Sequence, residues 1–264
     1  MISLPTLARL AAYAYPDLVP GVDLASAVHA LYHRLVGTID DEDTDTHVYV
    51  CRTVPDIVVS FRGTADLHNA LMDAEVLMEP FDLFPGSRAH GGFQDAWKAI
   101  WTGLSGILET EYARWAPMQP SVTFTGHSLG GAIATLCAAT YGDLYPMRPH
   151  ACVTFGSPRV GDNAFVDHFR LACSQGTRVV HARDIVPSLP ASLLITPYSH
   201  VPGLLWIDDS GHECSSPVGL WHRLEAFGAR IIQDTRGQPF TDHHMAGYIA
   251  AVDAYAKLHE EVHA

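Results

Sequence analysis

The feature that most constrains this chain is the stretch Val122-Thr123-Phe124-Thr125-Gly126-His127-Ser128-Leu129-Gly130-Gly131-Ala132-Ile133-Ala134. A β-rich run leads into Gly-x-Ser-x-Gly, and the residues that follow are small and helix-compatible. A chain that turns sharply from strand to helix at Ser128 brings the residues two before and two after it into close contact, where only small side chains fit. Gly126 and Gly130 meet that need. With glycine at about 7% of residues, the bare pattern arises by chance in roughly one ordinary chain in ten. The strand before it and the helix after it therefore carry the reading. The alternative is a glycine-rich turn with a surface serine.

The surrounding chain supplies a matching framework. Its 264 residues suit one large α/β domain over 1–264, since single-sheet enzymes often reach such lengths. Residues 3–15 and 22–36 carry apolar residues at helical spacing, with Asp23 as N-cap of the second helix. The acidic run Asp40-Asp41-Glu42-Asp43-Thr44-Asp45 lacks the glycine and closing glutamate of a calcium loop, so a solvated turn is expected. Val48–Cys51 and Ile57–Phe61 read as antiparallel strands joined by a turn at Val54-Pro55-Asp56. Beyond them, apolar runs at 121–125, 151–155 and 178–182 alternate with helical stretches at 91–115, 129–145 and 162–173, which predicts a mainly parallel sheet flanked by helices on both faces. Two more helices are expected at 219–233 and 242–258.

Composition narrows the function. Sixteen Lys plus Arg against 29 Asp plus Glu give a formal charge of −13, which repels nucleic acid and anionic membrane surfaces. The five cysteines, Cys51, Cys137, Cys152, Cys173 and Cys214, are odd in number and lack CxxC spacing, so mostly buried thiols are expected. No run of eighteen apolar residues occurs, so a transmembrane span is excluded and lipid contact is expected to be peripheral. Pro5 and Arg9 interrupt any signal-peptide core, which predicts a cytoplasmic location, with signal-independent export as the other route.

A serine on such an elbow is the nucleophile of the α/β-hydrolase fold, whose partners follow in the order Asp or Glu, then His, on loops at the carboxyl end of the sheet. Thr177–Ala182 reads as a buried strand, and Asp184 sits just past its end, where a carboxylate orients an imidazole. Asp162, Asp208 and Asp209 compete, but Asp162 starts a helix and reads as an N-cap. His127 adjoins the serine, yet neighbours on an elbow point in different directions. Among His200, His212, His222, His243 and His244, the chain order favours the pair His243-His244, which leads the last helix. The oxyanion hole needs the N–H of Leu129 and a second donor after an early strand, where Thr64 follows Phe61-Arg62-Gly63.

These residues resemble the class 3 lipase family. The resemblance rests on Phe61-Arg62-Gly63-Thr64 with Leu67, Asn69, Leu71 and Asp73; on His90-Gly91-Gly92-Phe93; and on Gly126-His127-Ser128-Leu129-Gly130-Gly131-Ala132. It continues through Phe155-Gly156-Ser157-Pro158-Arg159-Val160-Gly161-Asp162, Arg183–Pro190 and Asp242–Tyr248. It implies Ser128 as nucleophile, Asp184 as acid, and Thr64 with Leu129 as oxyanion donors. Its Asp-His-x-Met-x-x-Tyr pattern falls on Asp242-His243-His244-Met245-Ala246-Gly247-Tyr248 and selects His243 as base. It also implies an interfacial lid helix at about 65–80, with Leu67, Leu71 and Met72 on its apolar face. The segment lacks the tryptophan of the fungal pattern, and an ordinary connecting helix is the other reading. Phe81, Leu83 and Phe84 line an acyl groove or simply pack.

The function this implies is hydrolysis of lipid carboxylic esters through an acyl-enzyme, without metal or cofactor. Alternatives are a carboxylesterase on short soluble esters, an sn-1 phospholipid esterase, and a catalytically silent binding module. A zinc site on His243, His244 and Asp242 is disfavoured, because adjacent histidines do not share a helix face as i and i+4 ligands do.

Overall fold

The fold is that of a computed structural model, which describes residues 2–15, 23–31, 33–53, 55–63, 77–146, 150–182, 184–190, 197–214 and 241–261. Two short helices come first, α1 (Leu4–Tyr13) and α2 (Leu24–Ala30), and then strands β1 (Arg34–Asp41), β2 (Thr46–Thr53) and β3 (Asp56–Phe61). A small hairpin of β4 (Met78–Pro80) and β5 (Arg88–His90) precedes the long helix α3 (Gly91–Trp115). Strand and helix then alternate as β6 (Ser121–His127), α4 (Leu129–Leu144), β7 (His150–Phe155), α5 (Asn163–Ala172) and β8 (Gly176–His181). The described chain ends with β9 (Leu204–Ile207) and α6 (Met245–Glu261).

One seven-stranded sheet carries the order β1-β2-β3-β6-β7-β8-β9 among the described residues. Its first two pairings are antiparallel and the other four parallel. The two-residue period of the strands divides the core between its faces. Val48, Val50, Ile57, Val59, Phe61, Val122 and Phe124 join the apolar cluster under α3, α4 and α5. Tyr49, Cys51, Val58, Phe155, Val179 and Ile207 belong to the cluster on the other face, with residues of α1, α2 and α6. The α/β reading, with a mainly parallel sheet between helical layers, thus holds.

The expected helix at 22–36 is corrected. Asp23 caps α2, its carboxylate accepting the Ser26 N–H at 3.0 Å, but residues 34–41 pair antiparallel with β2 as an outer strand. Leu35, Val36 and Ile39 fit either spacing over so short a run. The β-branched Val36, Thr38 and Ile39, paired with β2, settle in the sheet. The acidic run is a hairpin turn, in which the Asp41 carboxylate accepts the Thr44 N–H at 2.9 Å and its hydroxyl at 2.6 Å. Four cysteines are buried and Cys214 is partly exposed, all as free thiols. The helix expected at 219–233 and most of the expected lid lie outside the described residues.

α3 begins at a histidine cap. His90 Nδ1 accepts the Phe93 N–H at 3.4 Å while its ring stacks on Phe93 at 3.9 Å. The proton therefore sits on Nε2, a buried atom without a hydrogen-bond partner among the described residues. Burial pushes the His90 pKa down to about 4. A histidine whose folded pKa lies below its unfolded value stabilises the fold fully above the unfolded value and loses that contribution as pH falls toward the folded one. Going from pH 7.5 to pH 5, His90 alone is expected to remove about 2 kcal/mol. His90→Asn keeps an N-cap acceptor and removes the titration. Denaturant melts at the two pH values should show a smaller acid loss in the variant than in the parent protein.

Candidate active site

The site starts where β6 becomes α4. Ser128 adopts φ 59° and ψ −130°, a sparsely populated region for a side-chain-bearing residue. Its N–H donates to Phe155 O at 2.9 Å, and its carbonyl accepts the Gly131 N–H at 2.9 Å. The flanking glycines are required by backbone proximity. A Cβ on Gly126 would lie 2.5 Å from the Gly130 carbonyl, and one on Gly130 would lie 2.2 Å from Phe61 O. Strand β3, strand β6 and helix α4 meet at that point.

Two loops bring the other groups. After β8, Ala182 takes φ 43°, and the Asp184 N–H donates back to His181 O at 3.0 Å. Asp184 Oδ1 accepts the Val186 N–H at 2.9 Å, at the start of the short 3₁₀ turn Val186–Ser188. His243 ends the turn Thr241–His243 that leads into α6. Its Nδ1 lies 2.7 Å from Asp184 Oδ2 and its Nε2 lies 2.8 Å from Ser128 Oγ. All three residues are buried. A carboxylate only accepts, so Nδ1–H donates to Asp184 and the Nε2 lone pair faces the serine hydroxyl.

Tyr248 adds a further donor to the carboxylate, its hydroxyl donating to Asp184 Oδ2 at 2.6 Å. Burial and the Asp184 charge hold this phenol well above the usual tyrosine pKa, so it remains a donor. Sequence reasoning placed Tyr248 in the motif but gave it no role. Gly156, at φ 60°, lies beneath the three groups, and a Cβ there would meet Asp184 Oδ2 and Tyr248 Oη at 2.9 Å and His243 Cε1 at 3.0 Å.

The competing residues have other partners. His127 Nε2 faces the His243 carbonyl at 2.7 Å and its Nδ1 faces Tyr15 Oη at 3.0 Å, so His127 is turned away from the serine. Asp162 caps α5 by accepting the Phe165 N–H at 2.8 Å. Asp208 accepts the Ser210 and His212 N–H groups of its own turn, each at 2.9 Å. Asp209 pairs with His181 Nε2 at 2.9 Å. His200 Nε2 reaches Pro187 O, and His244 is exposed. Phe81 and Phe84 are buried against each other and Phe165, which favours the packing reading over an acyl groove.

Leu129 opens α4, so its N–H has no acceptor within the helix. Thr64, Leu67, Leu71, Met72 and His222 lie outside the described residues. Among the described residues, no group of three or more His, Cys, Asp or Glu could hold a metal ion. No described helix is long and apolar enough to cross a membrane.

With this geometry in view, residues 58–194 match the model of the class 3 lipases. The chain belongs to the class 3 lipase family. Among relatives of this lipase-family chain, the secreted mono- and diacylglycerol lipase 1 of Fusarium solani is 31% identical over 192 residues, covering 72% of this chain and 54% of that protein. The chain thus spans about half the length of that curated relative. The crystal structure of a lipase from Rhizopus microsporus var. chinensis superposes with a TM-score of 0.66 at 30% identity, covering 76% of this chain and 72% of that one. A triacylglycerol lipase whose catalytic centre is formed by a serine protease triad superposes with a TM-score of 0.68 at 26% identity, covering 80% and 82%.

Gly156 gives a direct test of the geometry. In Gly156→Ala the positive φ costs about 1 kcal/mol or more, while the new methyl pushes on Asp184 and His243. Labelling of Ser128 by a fluorophosphonate probe is expected to slow about a hundredfold. The melting temperature should fall only by the few degrees that such a stability loss implies.

Proposed function

We propose that this chain is a serine hydrolase of lipid carboxylic esters, an acylglycerol lipase that works through an acyl-enzyme on Ser128. The observation that carries this reading is the unbroken hydrogen-bond path from Ser128 Oγ through His243 to Asp184, at 2.8 and 2.7 Å. The family membership supports it, as does the triacylglycerol lipase with a serine protease triad among the structural neighbours.

In the first half-reaction His243 Nε2 takes the Ser128 proton as Oγ attacks the ester carbonyl, and Asp184 stabilises the imidazolium that forms. The tetrahedral oxyanion accepts hydrogen bonds from the Leu129 N–H at the start of α4 and from Thr64, each donor contributing roughly 3 kcal/mol. Collapse expels the alcohol, which carries away the proton from His243. In the second half-reaction His243 draws a proton from water, hydroxide adds to the acyl carbon, and the fatty acid leaves as Ser128 regains its proton. Neither metal nor cofactor enters these steps. The segment at about 65–80, with Leu67, Leu71 and Met72, is proposed to meet the acyl chain or a lipid–water interface.

Hydrolysis of p-nitrophenyl esters from acetate to palmitate, below and above the solubility limit of the longer members, tests the reading. Ser128→Ala is expected to lose about a hundred-thousandfold or more in kcat, and the parent protein to gain rate when long esters form an emulsion. Activity confined to short soluble esters would instead assign a carboxylesterase.

A further inference from the structure

His127 is a buried polar residue and Tyr15 a half-buried one, and the proposed reaction uses neither. We infer that they are positioning residues: a relay from the Gly63 N–H through the Tyr15 hydroxyl and the His127 ring to the His243 carbonyl holds the backbone of the base in place. The inference rests on the reading of Ser128 and His243 given above.

The direction of every bond in the relay is fixed by its ends. The His243 carbonyl can only accept, so His127 Nε2 carries a proton and donates to it across 2.7 Å. His127 is held neutral by its complete burial and by the neighbouring His243, which together keep its pKa well below the usual histidine value. Nδ1 is then a bare acceptor, and the Tyr15 hydroxyl 3.0 Å away must donate to it. The lone pairs left on Tyr15 Oη accept the Gly63 N–H at 3.1 Å. Burial raises the Tyr15 pKa far above neutrality, so the hydroxyl keeps its proton. Turning the Tyr15 hydroxyl toward the His127 carbonyl, 3.4 Å away, would leave the buried His127 Nδ1 without its donor, which costs about 1–3 kcal/mol.

The relay joins four parts of the chain that sequence keeps apart: the residue two past the end of α1, the residue two past the end of β3, the last residue of β6, and the turn before α6. The His127 ring lies 4.5 Å from that of His243, centroid to centroid, and Tyr15 meets His127 edge-on at 5.7 Å. The Ser128–His243 distance thus depends on an N-terminal tyrosine outside the segment matched by the family model.

Tyr15→Phe, His127→Gln and His127→Phe test the relay. Each is assayed on p-nitrophenyl butyrate, with rates expressed per active site titrated and melting temperatures measured in parallel. Tyr15→Phe is expected to lower kcat about tenfold through misplacement of the base, with KM within about twofold of the parent. His127→Gln, whose amide N–H can still serve the His243 carbonyl, is expected to retain at least about threefold more kcat than His127→Phe. Should His127→Phe fail to fold, Tyr15→Phe decides alone, because it removes one oxygen from an otherwise unchanged ring. A Tyr15→Phe enzyme with parental kcat, or one whose KM rises while kcat holds, overturns the relay. With Ser128→Ala inactive, that result removes the relay alone; activity surviving in Ser128→Ala removes the reading of the site on which the relay rests.

Discussion

The approach of helix α4 to strands β3 and β6 is the contact on which the rest of the site depends. A parallel strand must hand over to its crossover helix at the carboxyl edge of the sheet, and here the handover is so tight that backbone atoms fill the space where side chains would be. Ser128 is forced into a strained backbone conformation, worth about 1–3 kcal/mol of local destabilisation. That strain is offset by burial around it: Phe124, Ala132, Ile133 and Leu136 are almost wholly removed from water, each contributing through apolar area. The serine hydroxyl is raised at the sheet edge because the core beneath it leaves the backbone no other course.

The same edge collects the polar groups, since β8 delivers Asp184 and the turn before α6 delivers His243. A buried carboxylate without partners costs several kcal/mol, so its location is tolerable only where donors converge. Among the described residues Asp184 has three: the Val186 N–H on one oxygen, and the His243 N–H with the Tyr248 hydroxyl on the other. The bond from Nδ1 to this carboxylate fixes the imidazole tautomer that leaves a lone pair toward Ser128. Folding stability and readiness for chemistry therefore draw on one set of bonds.

How much of this could be read from residues depends on the range of the interaction involved. Ser128 was legible because a strand, two glycines and a small-residue helix stand in one short stretch. Asp184 followed from its place after a buried strand and from chain order. His243 and His244 could not be separated by local physics, since adjacent side chains take opposite environments only once the turn's rotation is known. The motif resemblance selected His243, and the turn buries it while His244 faces solvent. β1 was misread because Leu35, Val36 and Ile39 satisfy two periods over too few residues for either to dominate. Tyr15 carried no signal, as its partner His127 lies 112 residues away and the two meet only when α1 packs on the sheet.

Two hydrogen-bond systems that meet at His243, through Asp184 and through His127, restrain different degrees of freedom. The Asp184 bond fixes rotation of the imidazole ring about its side-chain torsions, but it cannot stop the turn from sliding, because a ring can follow a moving carboxylate while losing the serine. A second hold is needed on the backbone, and it must come from an element that does not move with Asp184. His127 satisfies this condition, since it is the last residue of β6 and shares its peptide unit with Ser128 itself. Displacement of the His243 carbonyl is thereby measured against the serine's own backbone, so that the separation between Ser128 and His243 is set across one ring and one hydrogen bond.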